Sequence, residues 1–178
     1  QNPLLRSRSQ NLVHSAADSF SFLKCVLTMI QTPCVGICST VYGDMVCRGC
    51  KRFAHEVIAW NSYTPEQKIL VWHRLDHLLQ QVLESKLRVT DATLIQQSLK
   101  THGIRFRAER PAICLAWELL RHMKSDRDVS VFGFELKQAG EIAKLVERIN
   151  QDFHRLSEAW FEKNCIRALT LVAGETSG

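Results

Sequence analysis

Four cysteines fall in one short stretch: Cys34 and Cys38 as C-x-x-x-C, then Cys47 and Cys50 as C-x-x-C. Each pair is a two-point clamp. The interval 39–46 is long enough to fold the second clamp over the first. Four thiolates around one centre suit either zinc or an iron–sulfur cluster. Assembly deprotonates the thiols and leaves a net charge of about −2 at the site. Arg48, Lys51 and Arg52 lie beside that charge. We read them as compensating it rather than as a nucleic-acid contact. Gly49, inside the second pair, is expected to let the backbone turn tightly and aim its amides at the sulfurs.

Other residues compete for a chemical role. His73 and His77 share one helix face at four-residue spacing, a separation that can bind metal. The intervening sequence lacks the glutamate of H-E-x-x-H, so both read as partly exposed helix histidines. Cys47-Arg48-Gly49-Cys50 alone fits a redox dithiol. A thiol oxidoreductase site wants a strand before it and a helix at its first cysteine, and here a glycine-containing loop precedes it. Arg105, Arg107, Arg110, Arg121, Lys124 and Arg127 concentrate positive charge, with Phe106 interleaved. Such a cluster can meet RNA or DNA phosphates. The plainer reading is a solvated face balanced by Glu109, Glu118 and Asp126. No Ser-His-Asp order, phosphate loop, dinucleotide fingerprint or paired-carboxylate constellation is visible. An enzyme reading therefore has no catalytic residues to name.

These residues must be positioned by helices. Thr64, Pro65 and Gln67 form a strong helix start. The helix is expected to run to about Leu87, with Trp72, Leu75, Leu79 and Val82 on its apolar stripe. A shorter helical segment spans about Ala54 to Trp60. Asp91 opens another helix that Gly103 ends, and Pro111 opens one that reaches about Lys124. Val129 to Phe134 reads as a short strand or a loop. A long helix is expected from Glu135 to about Ala168, with Ile142, Leu145, Ile149, Phe153, Leu156 and Trp160 inward and Gly140 a weak point. The tryptophans at 60, 72, 117 and 160 read as core. The fold class expected is mostly α: a short cysteine-rich metal-binding loop module packed on a helical, bundle-like region.

Composition sets outer limits. The chain has 178 residues, 46% hydrophobic and 23% charged, so it can bury a core. Its net charge of +5 permits anionic partners without demanding nucleic acid. No apolar run approaches the roughly 18 residues of a membrane span. Seven cysteines are an odd number, unlike a secreted disulfide framework. Cys25, Cys114 and Cys165 sit in apolar company and read as buried reduced thiols. A reducing, cytoplasmic setting follows as the expectation. Three regions are expected: 1–28, an N-terminal extension that is poorly ordered or non-native upstream of a start at Met29; 29–90, the metal module with its capped helix; and 91–178, a helical region. The alternative for the first region is an amphipathic helix from about Ser15 to Ile30.

The run Pro33-Cys34-Val35-Gly36-Ile37-Cys38, then Cys47-Arg48-Gly49-Cys50, then Arg52, Glu56-Val57 and Trp60, resembles the bacterial family called domain of unknown function 1289. The resemblance covers about residues 32–78. Members are described as predicted iron–sulfur proteins. It implies that Cys34, Cys38, Cys47 and Cys50 are the ligands, and it implies no reaction. It tilts the choice of centre toward iron–sulfur, which the spacing alone does not separate from zinc. Phe53 departs from the family's common threonine and removes a helix cap, and Lys51 replaces a common small residue. The expected function is thus a small metal-binding protein with a structural or electron-carrying centre and a protein partner. The alternatives are a zinc-stabilised nucleic-acid-binding or regulatory module, and a thiol oxidoreductase.

Overall fold

The computed structural model describes residues 30–123 and 128–166. The proposed extension 1–28, the helix from Ser15, Met29, Cys25, Lys124, Asp126, Arg127 and the expected helix end at Ala168 lie outside the described residues.

The fold is mostly α. After the cysteine loop comes α1 (Ala54–Ile58), then α2 (Pro65–Glu84). Thr64 caps α2 as its sequence demands: its hydroxyl accepts the Gln67 amide at 3.3 Å, and its own amide donates to Gln67 Oε1 at 2.9 Å. One face of α2 buries Val71, Leu75, Leu78, Leu79, Val82 and Leu83. The helix stops before Leu87, because Leu87–Val89 is a strand, β1. It pairs antiparallel with β2 (Phe134–Leu136), and Arg88 faces Glu135 across the ladder at 2.7 Å.

Between the strands lie α3 (Ala92–Thr101) and α4 (Ala112–Leu120). Asp91 accepts the amides of Thr93 and Leu94 at the start of α3. Helix α4 is central: every residue from Cys114 to Leu120 is buried. Next, Val129–Phe132 is a single 3-10 turn capped by Asp128, and the strand begins only at Phe134. The last helix, α5, spans Ile142–Phe161 and continues into a wider turn at Glu162–Ile166. It does not begin at Glu135. Phe134 is fully buried in the strand pair, and tertiary pairing outcompetes local helix propensity there.

One apolar cluster runs from Trp60 and the face of α2 through Ile95, Leu99 and α4 to Ile149 and Phe153 of α5. A smaller cluster joins Val46 and Phe53 of the cysteine segment to Phe161. The cysteine segment is therefore fastened to the far end of the chain. Among the described residues, no helix is long and apolar enough to cross a membrane.

Candidate metal centre

The two cysteine pairs are built differently. Cys34 opens a turn in which its Sγ accepts the Gly36 amide at 3.4 Å, with Gly36 at φ +91°. Cys38 shares a 3.0 Å hydrogen bond with the Thr40 hydroxyl, at the head of a 3-10 turn, Ser39–Tyr42. Cys34 is exposed and Cys38 half-buried.

Cys47 and Cys50 are buried. Val46 bridges to Phe53, the Cys47 amide donates to Arg52 O at 2.8 Å, and the Lys51 amide donates to Cys47 O at 2.8 Å. These bonds close a tight loop around the pair. The strained position is Lys51, at φ +60°, not Gly49. Gly49 is needed for another reason. A Cβ there would lie 2.7 Å from Ile37 O and 2.8 Å from a Val35 methyl. The missing side chain is what lets the two loops touch.

Both cysteine loops contribute to the chemistry of Cys47. Burial works to raise its thiol, but amides of Cys50, Ser39 and Gly49, together with the Cys50 side chain, outweigh it and draw the thiol down to about 7. The Ser39 amide belongs to the loop of the first pair, so the first loop already supports the second pair's sulfur. Cys50 moves the other way: burial raises it, and Arg52 only partly offsets this.

The expected charge compensation divides among the three basic residues. Arg48 turns outward to Asp44 at 2.9 Å, with its side chain 75% exposed. It is not a compensating group. Lys51 and Arg52 are buried beside the sulfurs. Arg52 Nε donates to Cys50 Sγ at 3.4 Å, and its guanidinium lies 4.8 Å from the Trp60 ring. Lys51 Nζ donates to the carbonyls of Arg48 and Gly49 and to Asn150 Oδ1, at 2.8–3.0 Å. Burial lowers its pKa to about 8, against the pull of Cys50 and Cys47.

Glu56 holds the segment after Cys50. Its carboxylate accepts the Phe53 amide at 2.8 Å and pairs with Arg74 at 2.6 Å. The Arg74 guanidinium stacks 3.8 Å from the Phe53 ring centre, and Phe53 also packs on Trp160 and Phe161. Phe53 thus gives up a cap and becomes the anchor of the module. Asn150, His154 (whose Nε2 donates to Val46 O at 3.2 Å), Trp160 and Phe161 complete this support. Nothing in the linear sequence points to them, because about a hundred positions separate them from the cysteines.

The remaining candidates fall into place. His73 and His77 are exposed, and His77 bonds to Gln81. Cys114 is buried, its thiol pushed up to about 12 chiefly by desolvation, while Cys165 is only half-buried. Trp60 and Trp117 are core, whereas Trp72 and Trp160 are half-buried. Trp72 donates to Gln31 O at 2.9 Å and so ties down the entry to the cysteine loop.

Among the described residues, no three His, Cys, Asp or Glu side chains converge as they would around an ion. Cys47 and Cys50 are together, and the first loop lies against them. The sulfurs of Cys34 and Cys38 are engaged with their own loop. The donor set nevertheless fits a thiophilic centre: one lowered thiol, amides aimed at it, and two buried cations beside it.

Fold and site together define a cysteine-loop module clasped to a helical body. Residues 32–79, about a quarter of the chain, match the family described as "Protein of unknown function (DUF1289)". No curated protein and no solved structure matches the chain significantly.

Proposed function

We propose that Cys34, Cys38, Cys47 and Cys50 hold one metal centre, an iron–sulfur cluster or zinc, whose role is structural or electron-carrying. The observation that supports this best is the Cys47 sulfur. It is fully buried, at 0% exposure, reaches Ile37 O of the first loop at 3.8 Å, and has its thiol drawn down to about 7 by its surroundings. A buried sulfur with a lowered thiol pKa is suited to serve as a thiolate ligand. The centre itself would supply either a redox couple or a cross-link between the loops. Cys47 and Cys50 would anchor it, and Cys34 and Cys38 would close over it. A protein partner fits the exposed apolar residues of the same loop, Ile37, Val41 and Tyr42.

One observation favours a second reading. A lowered Cys47 thiol beside a raised Cys50 thiol is the asymmetry of a redox dithiol. Burial argues against it, because an attacking thiolate must reach its substrate and Cys47 has no exposed surface.

Anaerobic purification, metal analysis and visible absorbance test the proposal. About one zinc per chain, or iron with sulfide and charge-transfer absorbance, is the expected result. Folded protein without zinc or iron, and with all four thiols freely alkylated, refutes it. Disulfide reductase activity lost on substitution of Cys47 in that metal-free protein would establish the second reading instead.

A further inference from the structure

The basic residues around α4 are balanced by Glu109 and Glu118 as expected, with Arg105 and Arg121 exposed, but they also border a cavity. Arg105, Arg107, Arg110 and Arg121 line a cavity of about 460 Å³, together with Trp72 and Phe106. That size is within the roughly 300–1,000 Å³ of small-molecule sites. Cys34 and Cys50 stand on the same wall, so the cavity opens beside the cysteine pairs.

Its charges are unequally answered. Arg110 is held by Asp76 and Glu118, each at 2.7 Å, and Glu118 also takes Arg121 at 2.6 Å. Those two carboxylates balance those two guanidiniums. Among the described residues, Glu118 is the only carboxylate lining the cavity, and it is fully engaged. Arg107 pairs with Glu109 through Nε and Nη2, and its guanidinium sits 4.8 Å from the Trp72 ring centre. Its Nη1 is buried with no partner. Arg105 has no ion-pair partner among the described residues. A buried guanidinium donor left unsatisfied is costly and calls for an acceptor. Arg107 shares the lining of the cavity with Arg105 and with two indole rings, Trp72 and Trp117.

We propose that this cavity binds a small phosphate-bearing molecule, with Arg105 and Arg107 taking the phosphate and the aromatic walls taking the organic part. Two separate guanidiniums suit a phosphate, which offers three oxygens and close to two charges, better than a single planar carboxylate. A polynucleotide track needs a row of exposed cations, whereas Arg105 is exposed but the Arg107 and Arg110 side chains beside it are only 16% and 7% exposed. The inference goes beyond the metal reading, and its phosphate contacts, Arg105 and Arg107, are not among the proposed metal ligands.

Titration of the full chain with pyrophosphate, AMP and adenosine tests it, followed by calorimetry and by tryptophan fluorescence, since Trp72 and Trp117 line the cavity. Saturable binding of pyrophosphate and AMP is expected, with AMP tighter and adenosine silent. Arg105→Ala should weaken AMP about tenfold, the loss of one charge-assisted contact. Arg107→Lys should weaken it similarly, because lysine keeps the charge but not the fork. Arg88→Ala, on the distant strand pair, should change nothing. Arg105 is exposed and supports no other residue, so its variant keeps the fold even if an Arg107 variant does not, and circular dichroism verifies this. The proposal is overturned if neither pyrophosphate nor AMP binds at millimolar concentration, or if Arg105→Ala binds AMP as tightly as Arg88→Ala. Binding of single-stranded RNA without either small anion also overturns it, in favour of a nucleic-acid surface.

Discussion

The two cysteine pairs differ in who holds them. Cys47 and Cys50 are gripped by the body of the protein: a backbone bridge to Phe53, the buried Glu56–Arg74 pair, and Asn150 and Phe161 from α5. Cys34 and Cys38 are gripped mostly by their own loop, through Gly36 and Thr40. One clamp is built by folding. On the proposed reading, the other would be drawn in by the metal. A site of this kind is pre-organised at one end only, so its two halves should respond differently to damage.

The largest effect is expected from the sulfurs themselves. Cys47→Ser should empty the centre and remove its contribution to stability, on the order of 10 kcal/mol for a structural metal. Cys34→Ser should leave the fastened pair in place and lose less. Metal content and thermal melts of the two variants measure the difference, and equal losses would erase the distinction between the clamps.

The clasp comes next. Arg74→Met strands the buried Glu56 carboxylate and should cost about 3–5 kcal/mol by denaturant unfolding. Adding Glu56→Gln should restore part of it. If the single variant is neutral, the second pair is not held by this clasp. Gly49→Ala probes the contact between the loops. Its methyl would meet Ile37 O and Val35, so a cost of about 1–3 kcal/mol is expected, with weaker metal retention. Retention unchanged from wild type would show that the loops do not need to touch.

Thiol reactivity gives the smallest and most graded readout. In metal-free protein, iodoacetamide should modify exposed Cys34 first and Cys38 next, with buried Cys47 and Cys50 following only on unfolding. Mass spectrometry of partly alkylated peptides gives the order. Cys114 serves as the buried reference. Desolvation raises its thiol to about 12 from an ordinary 9.0, so the folded state keeps a proton that the unfolded state has lost. Stability should therefore be fully present below pH 9 and fall as pH rises toward 12. Cys114→Ala should flatten that part of the profile.

Much of this was legible in the residues. The Thr64-Pro65-Gln67 cap, the stripe of α2, the Asp91 cap and the stop at Gly103 are local signals, and each appears where the chain writes it. Leu87 and Phe134–Leu136 were not legible, because a three-residue strand exists only through its partner. The role of Phe53 was legible only as a loss, the missing cap. Its gain lies in Trp160 and Phe161, a hundred positions away.

The sequence by itself determined the capped helix starts at Thr64 and Asp91, the cysteine spacing and the family match over residues 32–79, since these depend on neighbours a few positions apart. Tertiary structure alone decided which cysteine pair is buried, which basic residues face the sulfurs, and that the arginines after α3 line a cavity. The physical reason is that burial and charge pairing belong to groups brought together across the core. Spacing along the chain carries no record of that encounter.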